Sequence, residues 1–297
     1  MYTVSVIVPI FNAERFLPDL FRALDQCNFQ EKDEILLVDN GSTDSSVELC
    51  MEKERENPNR YRCLKAPSRP GAEVARNFAV NHARGDLFVF TDSDTKPVPE
   101  WIDKIRENIE PGKIIAGKVQ LLIEEHGLWE CFDAIAHMNN AETVKKDRVV
   151  TANMAVLKTD FLAVGYLKEI FSSGDYDWSE RAARCGMKIA YVPEALVYHP
   201  TRKTLEQIDN KMMRIAYGEG DLERINHKLG WYIKLKYILL PIKLDTYARF
   251  AKQLKKLGVD KKELKGFYLQ FFKLRLKQIR FVFAGYRQVD PRKMGLS

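Results

Sequence analysis

The sequence predicts an α/β protein with a doubly wound, mostly parallel sheet and flanking helices, followed by a basic helical extension. Three short apolar runs rich in β-branched or aromatic residues predict strands, at residues 3–10, 34–38 and 87–91. Continuous runs of this length are typical of strands that are covered on both faces. Helical spacing of apolar residues separates the runs, as at Phe16 and Leu20. This alternation of strand and helix favours βαβ units.

The central part of the chain continues the same pattern. Residues 114–123 and 149–157 predict two further strands, and residues 188–199 predict another. Residues 175–186 predict a helix that ends at Gly186, since glycine is common just after a helix. Right-handed crossovers would bring the carboxyl ends of the first three strands to one edge of the sheet, where such folds bind ligands.

Charge divides the chain into two parts. We assign residues 1–202 to a catalytic domain and residues 203–297 to a basic, amphipathic helical extension. Residues 201–297 contain 23 basic and 9 acidic residues, a net charge of +14. The first 200 residues contain 24 basic and 32 acidic residues, a net charge of −8. Such asymmetry indicates two different roles, with acidic chemistry in one part and an anionic partner for the other.

Cysteine usage and hydropathy indicate a cytoplasmic protein. The five cysteines are scattered and include no C-x-x-C pair, which disfavours a disulfide framework or a zinc site. Residues 1–9 lack the basic start and the cleavage site of a signal peptide and predict a first strand instead. No apolar run approaches the roughly 20 residues that span a bilayer. We therefore expect a cytoplasmic location, with peripheral attachment to the cytoplasmic face of a membrane as an option.

Polar residues follow each of the first three predicted strands. Asn12 follows the first strand, Asp39 the second, and Asp92 and Asp94 the third. Each of these residue types also occurs in turns and at helix N-termini, so one cluster alone would carry little weight. Three clusters in register at one sheet edge favour a ligand-binding site.

The Asp92-Ser93-Asp94 sequence predicts a metal site. In an extended chain, residues two apart point the same way, so the two carboxylates repel each other unless a cation lies between them. Mg²⁺ and Mn²⁺ favour such oxygen ligands and usually keep phosphate oxygens as further ligands. A surface turn is the alternative, but the position directly after an apolar strand favours the metal.

Four segments resemble, in their order and spacing, the signatures of family 2 glycosyltransferases, which are inverting enzymes with the GT-A fold. These segments are Val6–Asn12, Val38–Asp44, Ala75–Asn77 and Asp92–Asp94. The resemblance extends over about residues 3–200. It implies nucleotide contacts from Pro9, Phe11, Asn12, Asp39, Arg76, Asp92 and Ser93. It also implies metal ligands at Asp92, Asp94 and His199, although a lone histidine is more often structural.

The resemblance continues at Gly174-Asp175-Tyr176-Asp177-Trp178-Ser179-Glu180-Arg181. Family members often have Glu-Asp-x-Asp-Leu-x-x-Arg at this place, with the first Asp as the catalytic base. By resemblance Asp175 is the base, and Trp178 and Arg181 lie on the acceptor side. Gly174 stands where the family often has Glu. A base is needed because an acceptor hydroxyl is a poor nucleophile until its proton is removed. A helix N-cap is the alternative role for Asp175.

The function that follows is a metal-dependent, inverting transfer of a sugar from a nucleotide-sugar donor to an acceptor hydroxyl. The resemblance favours a UDP-sugar, and a glycan or lipid-linked acceptor in surface polysaccharide or glycolipid synthesis. A nucleotidyltransferase would need a glycine-rich, basic loop after the first strand, whereas residues 11–15 read Phe-Asn-Ala-Glu-Arg. A catalytically silent binding module of the same fold is the second alternative, and the joint presence of Asp92, Asp94, Asp175 and His199 speaks against it.

The basic extension carries amphipathic segments. Residues 231–257 begin with an aromatic and basic stretch, and Phe272, Leu276, Ile279 and Phe283 follow helical spacing. Basic residues flank this stripe, at Lys273, Lys277 and Arg280. An anionic membrane surface, packing on the catalytic domain and a homodimer interface are three interpretations of this pattern. Nucleic acid is not an expected partner, because no nucleic-acid-binding motif accompanies the charge.

Overall fold

The structure, a computed structural model, describes residues 2–67, 71–227 and 244–296. Within these residues the predicted α/β class is confirmed, with helices flanking one sheet. The strands are β1 Val4–Ile10, β2 Glu34–Asp39, β3 Tyr61–Lys65, β4 Leu87–Thr91, β5 Lys96–Pro97, β6 Lys113–Leu122, β7 Asn153–Leu157 and β8 Lys188–Pro200. The helices are α1 Leu17–Asp25, α2 Ser46–Glu56, α3 Ala72–His82, α4 Trp101–Asn108, α5 Leu128–Ala136, α6 Asn140–Thr143, α7 Lys158–Val164, α8 Gly174–Arg184, α9 Leu205–Ile225, α10 Leu244–Lys256 and α11 Lys261–Tyr286.

The strand order of the sheet is β3-β2-β1-β4-β7-β6-β8-β5. The pairs formed among β3, β2, β1 and β4 are parallel. The pairs β4–β7, β7–β6 and β8–β5 are antiparallel. Because β1, β2 and β4 are parallel neighbours, their carboxyl ends lie at one edge of the sheet, as the alternation of strand and helix predicted.

The parallel strands are buried along their length. Every residue of β2 and β4 is buried, and in β1 only Pro9 is partly exposed. Residues on one face of these strands pack into one apolar cluster and residues on the other face into a second cluster. Burial on both faces explains why the sequence runs here are continuously apolar rather than alternating.

Two predicted elements differ from the structure by two residues or more at one end. The strand predicted over 149–157 begins only at Asn153, because the preceding residues turn and the Asn153 N–H donates to the Val150 carbonyl. The helix predicted over 175–186 spans Gly174–Arg184, and Gly186 follows it with a φ of +87°. The edge strand β3 was not predicted, since only Tyr61 of its residues is buried and the segment carries little apolar pattern.

Asn153 connects four elements around the end of β4. It lies opposite Thr91 in the β4–β7 pair and is 1% exposed. Its side-chain N–H groups donate to the Lys118 carbonyl of β6 at 2.9 Å and to the Ala195 carbonyl of β8 at 2.8 Å. Its side-chain Oδ1 atom accepts from the indole N–H of Trp101, on α4, at 2.9 Å. A buried amide with all these groups satisfied favours one arrangement of its neighbours.

The chain forms two compact units. The first contains Met1–Gln120, Met138–Glu169 and Gly174–Pro200. The second contains Leu121–His137, Ile170–Ser173 and Thr201–Ser297. The predicted boundary between residues 202 and 203 stays a prediction, and the two earlier segments of the second unit had no signal in the sequence.

The second unit has its own aromatic core. Phe132 of α5 packs edge-on against Phe271 of α11, with ring centroids 5.3 Å apart. Helices α9 and α11 approach each other closely at two glycines. A Cβ atom on Gly220 would lie 1.9 Å from the Val282 carbonyl oxygen, and a Cβ atom on Gly285 would lie 2.0 Å from the Tyr217 carbonyl oxygen. Neither position therefore has space for a side chain. Among the described helices, none is both long and apolar enough to cross a bilayer.

Candidate functional site

The turn between β4 and β5 presents Asp92 and Asp94. Thr91 and Thr95, on either side of them, are fully buried. The Thr91 hydroxyl donates to the Ala152 carbonyl at 3.0 Å, and the Thr95 hydroxyl donates to the Asp92 carbonyl at 2.8 Å. The two threonines anchor the turn, so that the intervening aspartates lie at its partly exposed surface.

The pairing of β5 with β8 brings His199 to this turn. Lys96 lies opposite Tyr198 in that pair, so His199 comes level with the residues that end the turn. The His199 Nε2 atom is 3.2 Å from Asp94 Oδ1. Its Nδ1 atom lies 2.7 Å from the carbonyl oxygen of Pro200, to which a protonated Nδ1 donates. That hydrogen bond fixes the ring with Nε2 directed at Asp94.

Asp92, Asp94 and His199 together fit a divalent cation. One ligand atom from each lies within 4.8 Å of the others, and this is the one such group of three among residues 2–67, 71–227 and 244–296. Two carboxylates and an imidazole whose second nitrogen is held by a carbonyl form a usual donor set for such an ion. The three metal ligands named from the sequence are therefore brought together, although their role stays a prediction.

Arg76 contributes a fixed positive charge beside the aspartates. It lies on α3, is 5% exposed, and its Nη2 atom is 2.6 Å from Asp92 Oδ1. Its Nε atom is buried and has no hydrogen-bond partner within the described part of the protein. The guanidinium thus has a donor left for an anionic group such as a phosphate.

Asp175 lies at the start of α8 with its carboxylate held by backbone groups. Its Oδ1 atom accepts from the Tyr176 N–H at 2.8 Å and its Oδ2 atom from the Thr151 N–H at 3.3 Å. Burial raises the pKa of Asp175, and the positive charge of Arg76 opposes this shift. A carboxylate with a raised pKa and a fixed orientation suits a general base.

Three neighbours of Asp175 on α8 have structural contacts instead. Asp177 is buried between Lys168 and Arg181, at 2.8 Å from each. Trp178 is fully buried, stacks on Phe161 at 4.9 Å and donates to the Gly165 carbonyl at 2.7 Å. These contacts give Trp178 and Arg181 structural roles, and their predicted place on the acceptor side stays a prediction.

Four of the residues predicted to contact the nucleotide lie at or just beyond the carboxyl ends of β1 and β2. They are Pro9, Phe11, Asn12 and Asp39. Pro9 is partly exposed, and Phe11 is 55% exposed beyond the end of β1. The side-chain Oδ1 atom of Asn12 accepts from the Thr43 N–H at 2.8 Å, which joins the loops after the two strands. Asp39 is buried and accepts from the N–H groups of Gly41 and Ser42, at 3.1 Å each. The last of the predicted contacts, Ser93, is partly exposed in the β4–β5 turn.

Sequence reasoning missed Glu73, a buried acid in the first turn of α3. Burial raises its pKa to about 7, the largest influence, while Arg76 lowers it and Asp175 raises it. An acid in the first turn of a helix is common because the helix dipole favours it there, so no local sequence signal distinguishes Glu73.

Comparison with known proteins finds glycosyltransferases. Residues 5–150 match the sequence model of glycosyl transferase family 2. Glycosyltransferase AglE of Haloferax volcanii is 28% identical over 222 residues, which cover 73% of this chain and 72% of AglE. The undecaprenyl-phosphate 4-deoxy-4-formamido-L-arabinose transferase of Salmonella choleraesuis is 32% identical over 119 residues, and that match spans 39% of this chain and 36% of the relative.

Solved structures share the fold at low sequence identity. Mannosyltransferase PcManGT from Pyrobaculum calidifontis, in complex with GDP-Man and Mn²⁺, superposes with a TM-score of 0.65 at 16% identity, over 96% of this chain and 86% of that one. Residues 1–349 of TarS from S. aureus, in complex with UDP-GlcNAc, give 0.52 at 17% identity, over 99% and 92%. Residues 5–150 of this chain belong to glycosyl transferase family 2, and the chain has the GT-A fold.

Proposed function

We propose that this protein is a metal-dependent, inverting glycosyltransferase that moves a sugar from a nucleotide-sugar to an acceptor hydroxyl. The observation that carries this proposal is the gathering of Asp92, Asp94 and His199 at the sheet edge. Arg76 adds a positive charge, and Asp175 adds a partly exposed carboxylate whose pKa is raised. One part of the site thus suits a diphosphate and the other the removal of a proton.

Asp92, Asp94 and His199 would hold the divalent cation. The bound cation would neutralise the negative charge that develops on the departing diphosphate. A donor set with one imidazole nitrogen favours Mn²⁺ over Mg²⁺, since Mg²⁺ prefers oxygen ligands. Arg76 would add a hydrogen bond from its buried Nε–H to the donor.

Asp175 would take the proton from the acceptor hydroxyl as that oxygen attacks the donor sugar. Its two backbone hydrogen bonds fix the carboxylate, so little reorganisation is needed during the reaction. One base on the side opposite the diphosphate is sufficient for inversion, and no covalent intermediate with the protein is required. UDP as the carrier, and a glycan or lipid-linked acceptor in surface polysaccharide or glycolipid synthesis, are parts of this proposal that rest on family resemblance.

An anionic membrane is the partner that we propose for helix α11. Its buried face includes Phe267, Phe271 and Leu274, whereas Phe272 and Leu276 of the predicted stripe are 40% and 47% exposed. The remaining two members of the stripe, Ile279 and Phe283, are partly buried. Part of residues 231–257, up to residue 243, lies outside the described residues.

Basic side chains surround the exposed apolar residues of α11. At 100° per residue, Lys262, Lys265, Lys273 and Arg280 share the face of Leu269, which is 60% exposed. Lys277, at the border of this face, is paired with Asp209 at 2.5 Å. An apolar face interspersed with cations matches the boundary between anionic headgroups and acyl chains better than it matches a second copy of the same positive helix. Cytoplasmic location and a homodimer stay predictions.

Binding of a nucleoside diphosphate should require a divalent cation, because Asp92 and Asp94 otherwise repel the phosphates. In calorimetric titrations of UDP and GDP, we expect the affinity for the preferred nucleotide to fall at least about ten-fold when EDTA replaces Mn²⁺. Asp94→Asn should show the same loss in Mn²⁺, whereas Asp147→Asn, at an exposed turn, should bind normally. Equal affinity in Mn²⁺ and EDTA would remove the metal from the proposal.

Asp175→Asn should leave the fold and the metal-dependent nucleotide affinity intact, because the amide is nearly isosteric with the carboxylate. We expect kcat for transfer to fall roughly 10²–10⁴-fold, the usual contribution of a positioned base. In the wild type, the rate should decline as the pH falls through the raised pKa of Asp175, since only the ionised form accepts a proton.

Asp177→Asn provides the matched comparison, since it makes the same change two residues along α8. Loss of the buried ion pairs with Lys168 and Arg181 should lower the free energy of unfolding by roughly 1–3 kcal/mol. Turnover per folded molecule should change far less than in Asp175→Asn. The reverse pattern, with normal turnover in Asp175→Asn and none in Asp177→Asn, would move the base to Asp177.

Attachment to anionic vesicles should depend on the exposed face of α11. In co-sedimentation with vesicles of anionic and zwitterionic phospholipid, we expect binding that weakens with salt and falls roughly ten-fold in Phe272→Asp. Met51→Asp is the control, because Met51 is 52% exposed on α2. A soluble dimer that Phe272→Asp dissociates, with no vesicle binding by the wild type, would favour the homodimer interpretation.

A further inference from the structure

Residue 174, directly before the proposed base, has no space for a side chain. A Cβ atom on Gly174 would lie 2.7 Å from Cγ of Glu73 and 2.8 Å from the Lys168 carbonyl oxygen. Both distances are shorter than real contacts of a Cβ atom, so glycine is required here. The side chain that fills this space comes from α3, and it is itself a carboxylic acid.

Glu73 therefore occupies the space that a side chain at position 174 would need. Its side-chain Oε1 atom would be 3.1 Å from a Cβ on Gly174, so the carboxyl group, and not only the aliphatic stem, lies against the first residue of α8. The chain supplies this acid from a different helix, about 100 residues earlier in the sequence.

The surroundings of Glu73 do not favour its charge. The residue is only 7% exposed. One positive group faces it, Arg76 on the same helix, and two negative groups face it, Asp175 on α8 and Asp92 after β4. Burial is the main reason that its pKa rises to about 7. The Glu73 carboxylate accepts a hydrogen bond from the N–H of its own residue. A neutral side chain of the same size would be more stable here, so packing alone does not explain an acid.

We propose that Glu73 is a positioning residue for Asp175, placed by α3 against the glycine that precedes the base. It holds the first turn of α8 in place and, when ionised, makes Asp175 a stronger proton acceptor, because a second negative charge nearby favours uptake of the proton. This inference rests on the proposed function, in which Asp175 is the base.

The test is Glu73→Gln, which keeps the size of the side chain and removes its charge. For sugar transfer in Mn²⁺, we expect kcat to fall about 5- to 20-fold, while the affinity for the nucleoside diphosphate stays unchanged. In the wild type, the rate should rise as Glu73 ionises, and this rise should be absent from the variant. Glu180→Gln, on α8 with its carboxylate 2.6 Å from Arg148, is the control and should keep the wild-type pH profile.

Thermal unfolding gives a readout that does not depend on turnover. A carboxyl group with a raised pKa binds its proton more tightly in the folded state, so the stability of the wild type decreases as the pH rises through the interval between the two pKa values. The Tm of Glu73→Gln should therefore exceed that of the wild type by more at pH 8 than at pH 5.

Two results would overturn the inference and are distinguishable. Wild-type kcat and pH profile in Glu73→Gln would show that Glu73 only fills space, and would leave the proposed function intact. A wild-type protein that transfers no sugar from any nucleotide-sugar would overturn the proposed function and this inference with it.

Discussion

The hydrogen bonds of one buried amide, Asn153, determine where the candidate site forms. This side chain connects β6, β8 and α4 to the strand beside β4, and Gly117 leaves the space that it needs, since a Cβ there would lie 2.4 Å from its side-chain atoms. Through Ala195, the same network fixes β8, the strand that carries His199. The register of β5 against β8 then sets His199 beside Asp94. A polar network inside an otherwise apolar sheet specifies this arrangement because each of its groups would be costly to leave unsatisfied.

Electrostatic repulsion is the second constraint on this edge of the sheet. Asp92, Asp94, Asp175 and Glu73 gather there, with Arg76 as the nearest fixed cation. In a folded protein of marginal stability, such a concentration of acids is unfavourable, and sites of this kind are where stability is given up for activity. A divalent cation between Asp92 and Asp94 would offset the repulsion between these two carboxylates. Protonation of one carboxyl group would offset the repulsion between Asp175 and Glu73. The two responses correspond to the two halves of the proposed chemistry, a leaving diphosphate and a proton acceptor.

The sequence predicted the parallel strands and the metal donors because local pattern encodes both. Buried parallel strands appear as continuous apolar runs, and Asp92 and Asp94 follow directly after one of them. The sequence did not predict a role for Glu73. That role depends on a contact with Gly174, about 100 residues away in the sequence, which leaves space for the Glu73 side chain because it is a glycine. The position of Trp178 was also not predicted, since the sequence alone cannot distinguish an aromatic residue that stacks in the core from one that faces an acceptor. Contacts between distant segments decide both cases, and a single sequence does not encode them locally.

Location of the metal itself tests the central claim most directly. A crystal of the protein soaked with Mn²⁺ and UDP or GDP, measured near the manganese absorption edge, would give an anomalous difference map. The account predicts one peak within bonding distance of Asp92 or Asp94 and of His199 Nε2, with the diphosphate on the side of Arg76. Nucleotide bound at this edge of the sheet without an anomalous peak, or a peak elsewhere on the protein, would contradict it.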